Sequence, residues 1–81
     1  MKIPRDVSGD DLAARLAQFG YATTRQTGSH MRLTSSSKGS EHHITIPRHT
    51  PLKIGTLNSI LKDVATYLEI ERSHLVNKLF S

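Results

Sequence analysis

Apolar residues recur at helical spacing at both ends of this chain and at alternate positions through its middle, and this double change of period leaves few folds open. Leu12, Leu16 and Phe19 lie three and four residues apart, and Leu57, Ile60, Leu61, Val64 and Leu68 follow the same rule. Between them, Met31 and Leu33, then Ile44 and Ile46, are each separated by one polar residue, as in strands with a single covered face. Ser8 ahead of Gly9-Asp10-Asp11-Leu12 reads as an N-cap, with Asp11 at the capping-box position and Val7 placed to staple onto Leu12. Gly20 is a left-handed stop, with Tyr21 packing back on Leu16. A first helix is therefore expected over residues 9–19.

After Gly20 the pattern becomes that of β structure. Threonine-rich residues 21–27 and residues 29–35 form two strands turned at Thr27-Gly28, and the serine-rich loop 36–40 leads to a third strand over 41–46, ended by Pro47. Short links between adjacent strands make an antiparallel meander. A second helix starts at Ile54, and Leu75, Val76 and Leu79 after Ile70-Glu71-Arg72-Ser73 suggest a short third helix with a weak cap. The class is α+β: a three-stranded antiparallel sheet with helices on one face. Eighty-one residues hold one small domain, 1–81. The absence of cysteine excludes a disulfide framework and a thiolate zinc site, and no apolar run is long enough for a signal peptide or membrane span. A cytoplasmic protein is expected.

Charge is concentrated in the β region. Between residues 21 and 53, Arg25, Arg32, Lys38, Arg48 and Lys53 stand against the single acid Glu41, so this stretch carries the whole net charge of +4. His30, His42, His43 and His49 fall in it too. Such a surface suits a polyanion, most readily nucleic acid, although a solvated strand face would have the same composition. Alternation sorts the side chains: with Met31, Leu33, Ile44 and Ile46 toward the helices, His30, Arg32, Thr34, His43 and Thr45 share the open face. His42, on the core side, is expected to be a packed or edge histidine. The first strand stays ambiguous, since neither Ala22/Thr24/Gln26 nor Tyr21/Thr23/Arg25 is apolar.

Gly28-Ser29-His30 places one histidine just past a tight turn, between Arg25 and Arg32. Imidazole titrates near neutrality and can both take and give a proton, and the arginines suit an anion. The plain alternative is an ordinary surface histidine. Gly-Ser-His-Met also resembles a tag-cleavage scar, but a scar sits at the N-terminus rather than mid-chain. A metal site is disfavoured because consecutive His42 and His43 diverge and no His-Glu-x-x-His spacing or carboxylate pair completes one. A nucleophilic Ser29 is disfavoured because neighbouring strand side chains point apart and no oriented acid is evident. No phosphate-cradling G-x-x-x-x-G-K-[ST] loop exists. What remains is metal-free, cofactor-free acid–base chemistry on a polyanion. RNA fits best, because its 2′-hydroxyl can attack its own phosphate.

Three segments, Arg25-Gln26-x-Gly28-Ser29-His30, Ile46-Pro47-Arg48-His49 and Leu52-Lys53-x-Gly55-Thr56-Leu57-x-x-Ile60-Leu61, in this order and spacing, resemble the HicA-type toxins. These are the small RNA-cleaving halves of HicA–HicB toxin–antitoxin pairs. The likeness runs from the first helix to about Val64. It implies a double-stranded-RNA-binding-like α-β-β-β-α fold, mRNA cleavage, and inhibition by a HicB-like antitoxin. The catalytic histidine of the family's Gly-Ser-His carries over to His30. The resemblance leaves Pro47-Arg48-His49 open between substrate or antitoxin contact and proton transfer, and Gly55-Thr56 is expected to open a helix. One departure is residues 65–70, which lack the glycine expected before the final helix.

Together these readings give a metal-independent endoribonuclease toxin. His30 is its general base or acid, and Arg25 and Arg32 hold phosphate. Ser29, His43, Arg48, His49 and Lys53 are further RNA contacts, and His43 or His49 supplies a second proton-transfer group. The expected partners are mRNA and an antitoxin covering the open sheet face; no membrane is involved. A non-catalytic RNA-binding module of the same fold and a purely structural partner subunit are the alternatives. His30→Ala would abolish function in the first reading, weaken it slightly in the second and leave it unchanged in the third.

Overall fold

The computed structural model describes residues 3, 4 and 6–80. Its elements are α1 (Gly9–Leu16), β1 (Ala22–Gln26), β2 (His30–Ser35), β3 (His42–Pro47), α2 (Ile54–Leu68) and α3 (Arg72–Phe80). The strands form one antiparallel sheet in the order β1-β2-β3. The chain is thus α+β with the expected α-β-β-β-α order, followed by a third helix.

The start of α1 follows its sequence signal in part. Ser8 Oγ accepts from the Asp11 N–H at 3.0 Å, but the reciprocal half of the capping box is missing. The Asp11 carboxylate turns to Arg15, one helical turn on, at 3.1 Å. The helix also ends earlier than expected. Ala17–Phe19 tighten into a 3₁₀ turn, and Gly20 then takes the left-handed conformation at φ 85°.

A single apolar cluster joins the elements. Leu12 and Leu16 of α1, Met31, Leu33, Ile44 and Ile46 of the sheet, Leu57, Ile60, Leu61 and Val64 of α2, and Leu75, Val76 and Leu79 of α3 are all buried in it. Truncating any fully buried leucine of this set to alanine costs about 2–5 kcal/mol. The helices cover one face of the sheet and leave the other bare. β1 lies beyond their cover and all five of its residues are exposed, which is why neither of its alternating sets needed to be apolar.

Pro47 closes β3 from within the strand rather than ending it from outside. It pairs with His30, and because β3 is an edge strand its missing N–H breaks no ladder. The next N–H, that of Arg48, donates to the Ser29 carbonyl at 2.8 Å. Gly9 packs on this strand end so closely that a Cβ would lie 2.1 Å from the Pro47 carbonyl oxygen. Its N–H donates to the His49 carbonyl at 3.0 Å, and the Leu52 N–H to the Val7 carbonyl at 2.8 Å. The N-terminus of α1, the end of β3 and the approach to α2 therefore meet at one end of the sheet.

At the other end of α2 the missing glycine is replaced by Glu69, which adopts the left-handed conformation at φ 59°. Its N–H reaches back to Ala65 and Thr66, and the Ile70 N–H donates to the Ala65 carbonyl at 3.1 Å. This is the glycine-type helix stop built with a side chain, at a conformational cost of about 1–2 kcal/mol.

Candidate functional site

The strand register decides what shares the open face. His30 stands opposite Pro47, Arg32 opposite Thr45 and Thr34 opposite His43, while on the other side Arg32 faces Arg25 across a bulge at Thr24. The expected set His30, Arg32 and His43 is therefore on one face, and Arg25 joins it. Two arginines directly opposite each other repel. Among the described residues neither has a carboxylate within 4.0 Å, whereas Arg15, Lys38 and Arg48 each have one. A pair of cations held in register without counter-ions is an arrangement that favours an external anion.

His30 is exposed at the start of β2, and the turn that aims it lies at the expected Thr27-Gly28. Gly28 does not take a left-handed φ, and a Cβ there would meet nothing within 4 Å. Thr27 holds the turn instead. Its hydroxyl accepts from the Ser29 N–H at 3.3 Å and the His30 N–H at 3.1 Å, and its own N–H donates to the His30 carbonyl at 2.9 Å. The sequence pointed to Thr27-Gly28 for this turn but not to the hydroxyl that closes it, although a threonine two residues before a serine is the signal for such a loop. Ser29 consequently lies in the turn rather than in the strand. Its Oγ is 2.9 Å from His30 Nδ1, so these neighbours do not point apart as strand alternation suggested.

His43 occupies a different place. Its Nδ1 lies 2.8 Å from Thr34 Oγ1, and its Nε2 lies 3.6 Å from Glu41 Oε1, where a protonated ring would pair with the carboxylate. Because Thr34 is four residues beyond His30, about 13 Å of strand separates the two histidines. Two groups that exchange protons with one phosphate must both reach it within hydrogen-bond distance, and His43 starts from the far end of the face. Arg48 and His49 belong to the His30 end, through the Arg48 N–H bond to Ser29. The Arg48 guanidinium is held by Asp10 at 3.3 Å, a partner the sequence did not reveal, and the His49 side chain is exposed. Lys53 is exposed just ahead of α2, where it occupies the N-cap position without a capping side-chain bond.

His42 is packed, as expected. Its ring stacks on Tyr67 at 4.6 Å, its Nδ1 is 2.6 Å from the Tyr21 hydroxyl and its Nε2 3.1 Å from Asp63. Burial, with smaller effects of Tyr67 and Asp63, keeps Tyr21 protonated well above the usual tyrosine range. The Tyr21 hydroxyl and the Asp63 carboxylate thus bracket the two nitrogens of the His42 ring. The Tyr67 hydroxyl accepts from the Lys38 N–H at 3.1 Å and donates to the Ser40 carbonyl at 2.5 Å, which ties down the serine-rich loop. This cluster is structural and lies on the covered side of the sheet.

Among the described residues no three His, Cys, Asp or Glu side chains converge on a metal position, and no helix is long and apolar enough to cross a membrane. Fold and site together define a small α+β domain with a bare, cationic, histidine-bearing sheet face. Residues 9–65, well over half of the chain, match the family described as HicA toxin of bacterial toxin-antitoxin, and the chain belongs to that family. It is thus the toxin of a toxin–antitoxin system, and the match ends within α2, short of α3. Comparison with curated proteins and with solved structures returned no significant match.

Proposed function

We propose that this toxin is a metal-independent endoribonuclease that cuts mRNA. The observation that carries this reading is the juxtaposition on one exposed face of His30, with Arg32 two residues along the strand and Arg25 opposite it, both arginines lacking counter-ions among the described residues. His30 Nε2 takes the proton of a 2′-hydroxyl as the 2′-oxygen bonds to the adjacent phosphorus. The P–O5′ bond then breaks, and the 5′-oxygen receives a proton from His49 or from water. Arg25 and Arg32 offset the charge gathering on the phosphate. Arg48, His49 and Lys53 extend the RNA contact at the His30 end, with Arg48 exchanging Asp10 for phosphate, and His43 extends it at the far end.

All four phenylalanine and tyrosine rings of the chain, Phe19, Tyr21, Tyr67 and Phe80, lie away from the open face. The face therefore suits phosphates and ribose better than a stack of bases. A HicB-like antitoxin would cover the same face and bury His30, with an acidic surface complementing the basic stretch.

The test is one RNA carrying a single 2′-deoxy substitution just upstream of a known cleavage site, incubated with the protein in EDTA. The expected result is binding close to that of the unmodified RNA, no cut at the substituted position, and cuts elsewhere that leave 2′,3′-cyclic phosphate and 5′-hydroxyl ends. Cutting at the substituted position, or 5′-phosphate products, would identify water as the attacking group. Loss of all cutting in EDTA, restored by a divalent ion, would overturn metal independence.

A further inference from the structure

Among the described residues Ser29 is the one hydroxyl bonded to the His30 ring, and its backbone is restrained on both sides. The Ser29 N–H is bonded to Thr27 Oγ1 at 3.3 Å and its carbonyl accepts from Arg48 N–H at 2.8 Å, so the turn and the end of β3 hold the residue between them. From that position Oγ reaches His30 Nδ1 at 2.9 Å and leaves Nε2 directed away from the bond. A serine hydroxyl can accept or donate, but the two choices have different consequences. If Oγ accepts, Nδ1 carries the proton and neutral His30 presents a lone pair at Nε2. If Oγ donates, Nε2 carries the proton and cannot act as a base.

We propose that Ser29 is a positioning residue: it accepts from His30 Nδ1–H throughout the reaction, so that Nε2 alone gains and loses a proton. The proposal rests on the reading of His30 as the acid–base group, and it gives Ser29 a role distinct from RNA contact. Ser29 itself touches no reacting atom. No carboxylate stands behind it among its hydrogen-bond partners. Serine therefore takes the place that a carboxylate or carbonyl holds beside other functional histidines, where losing such a partner costs on the order of ten- to a hundredfold.

Nitrogen-15 NMR of the histidine rings in the unaltered protein, at a pH where His30 is neutral, reads the tautomer directly and needs no activity. Protonated Nδ1 with bare Nε2 is expected; a predominantly Nε2-protonated ring would overturn the proposal. In Ser29→Ala the ring should shift toward a mixture of tautomers. Its kcat should fall by about tenfold or more with KM unchanged, and Ser29→Thr should restore most of the rate. A raised KM with intact kcat would make Ser29 an RNA contact and sink the positioning role. If the unaltered protein cuts no RNA, the endoribonuclease reading fails, while the ring-nitrogen measurement still decides the hydrogen bond.

Discussion

The two ends of the open sheet face carry one histidine each and make opposite use of it. At the β1–β2 turn, His30 has one nitrogen on Ser29 and the other without a partner among the described residues, with Arg32 and Arg25 beside it. At the start of β3, His43 has Thr34 on one nitrogen and Glu41 near the other. A proton-transfer group needs a nitrogen open to substrate and cationic neighbours for the phosphate; the first histidine has both Arg32 and Arg25 on its side, whereas the second has a carboxylate near its outer nitrogen. Alternation along a strand places residues on a face, but membership of a face is not membership of a site.

The sharpest way to break this comparison is to remove each histidine in turn. His30→Ala should lower RNA cleavage by about 10²- to 10⁴-fold while thermal melting followed by circular dichroism stays unchanged, because the side chain is exposed. His43→Ala should cost a few-fold at most. Comparable losses from both would mean that the two ends act on one substrate position.

A smaller effect is expected from the cations. Arg32→Ala, measured by RNA binding in the His30→Ala background across a salt series, should weaken affinity by about tenfold and reduce the salt slope by about one. An unchanged slope would show that the Arg25–Arg32 pair does not meet phosphate. The smallest effect belongs to the far end. Thr34→Val removes the partner of both His43 and Thr24, yet stability should fall by only about 1 kcal/mol or less and the cleavage rate should stay the same. A rate loss there would extend the active site along the whole strand.

The faces of the sheet were legible because Met31/Leu33 and Ile44/Ile46 alternate cleanly, and the start of α1 and the left-handed turn after it because Ser8 and Gly20 are clear local signals. What escaped reading depends on contacts distant in sequence or on a choice among equivalent local solutions. Gly9 is required by a backbone approach to Pro47, nearly forty residues away, and nothing beside it in sequence says so. Arg48 finds Asp10 for the same reason. Glu69 performs the turn that a glycine was expected to make, because the helix stop needs a left-handed residue and tolerates a side chain at modest cost. The separation of His30 from His43 required the register, which no single strand contains. The bond between Ser29 and His30 required knowing that the strand starts at His30, one residue later than the pattern suggested.

The placement of the aromatic rings has a spectroscopic consequence. The chain has no tryptophan, and its two tyrosines sit on the covered side, Tyr21 buried and Tyr67 stacked on His42. Intrinsic emission should therefore follow the melting of the core and stay silent when a polyanion docks on the opposite surface. A tryptophan introduced at Thr45, exposed on the open side opposite Arg32, would supply the missing optical signal at the surface where docking occurs.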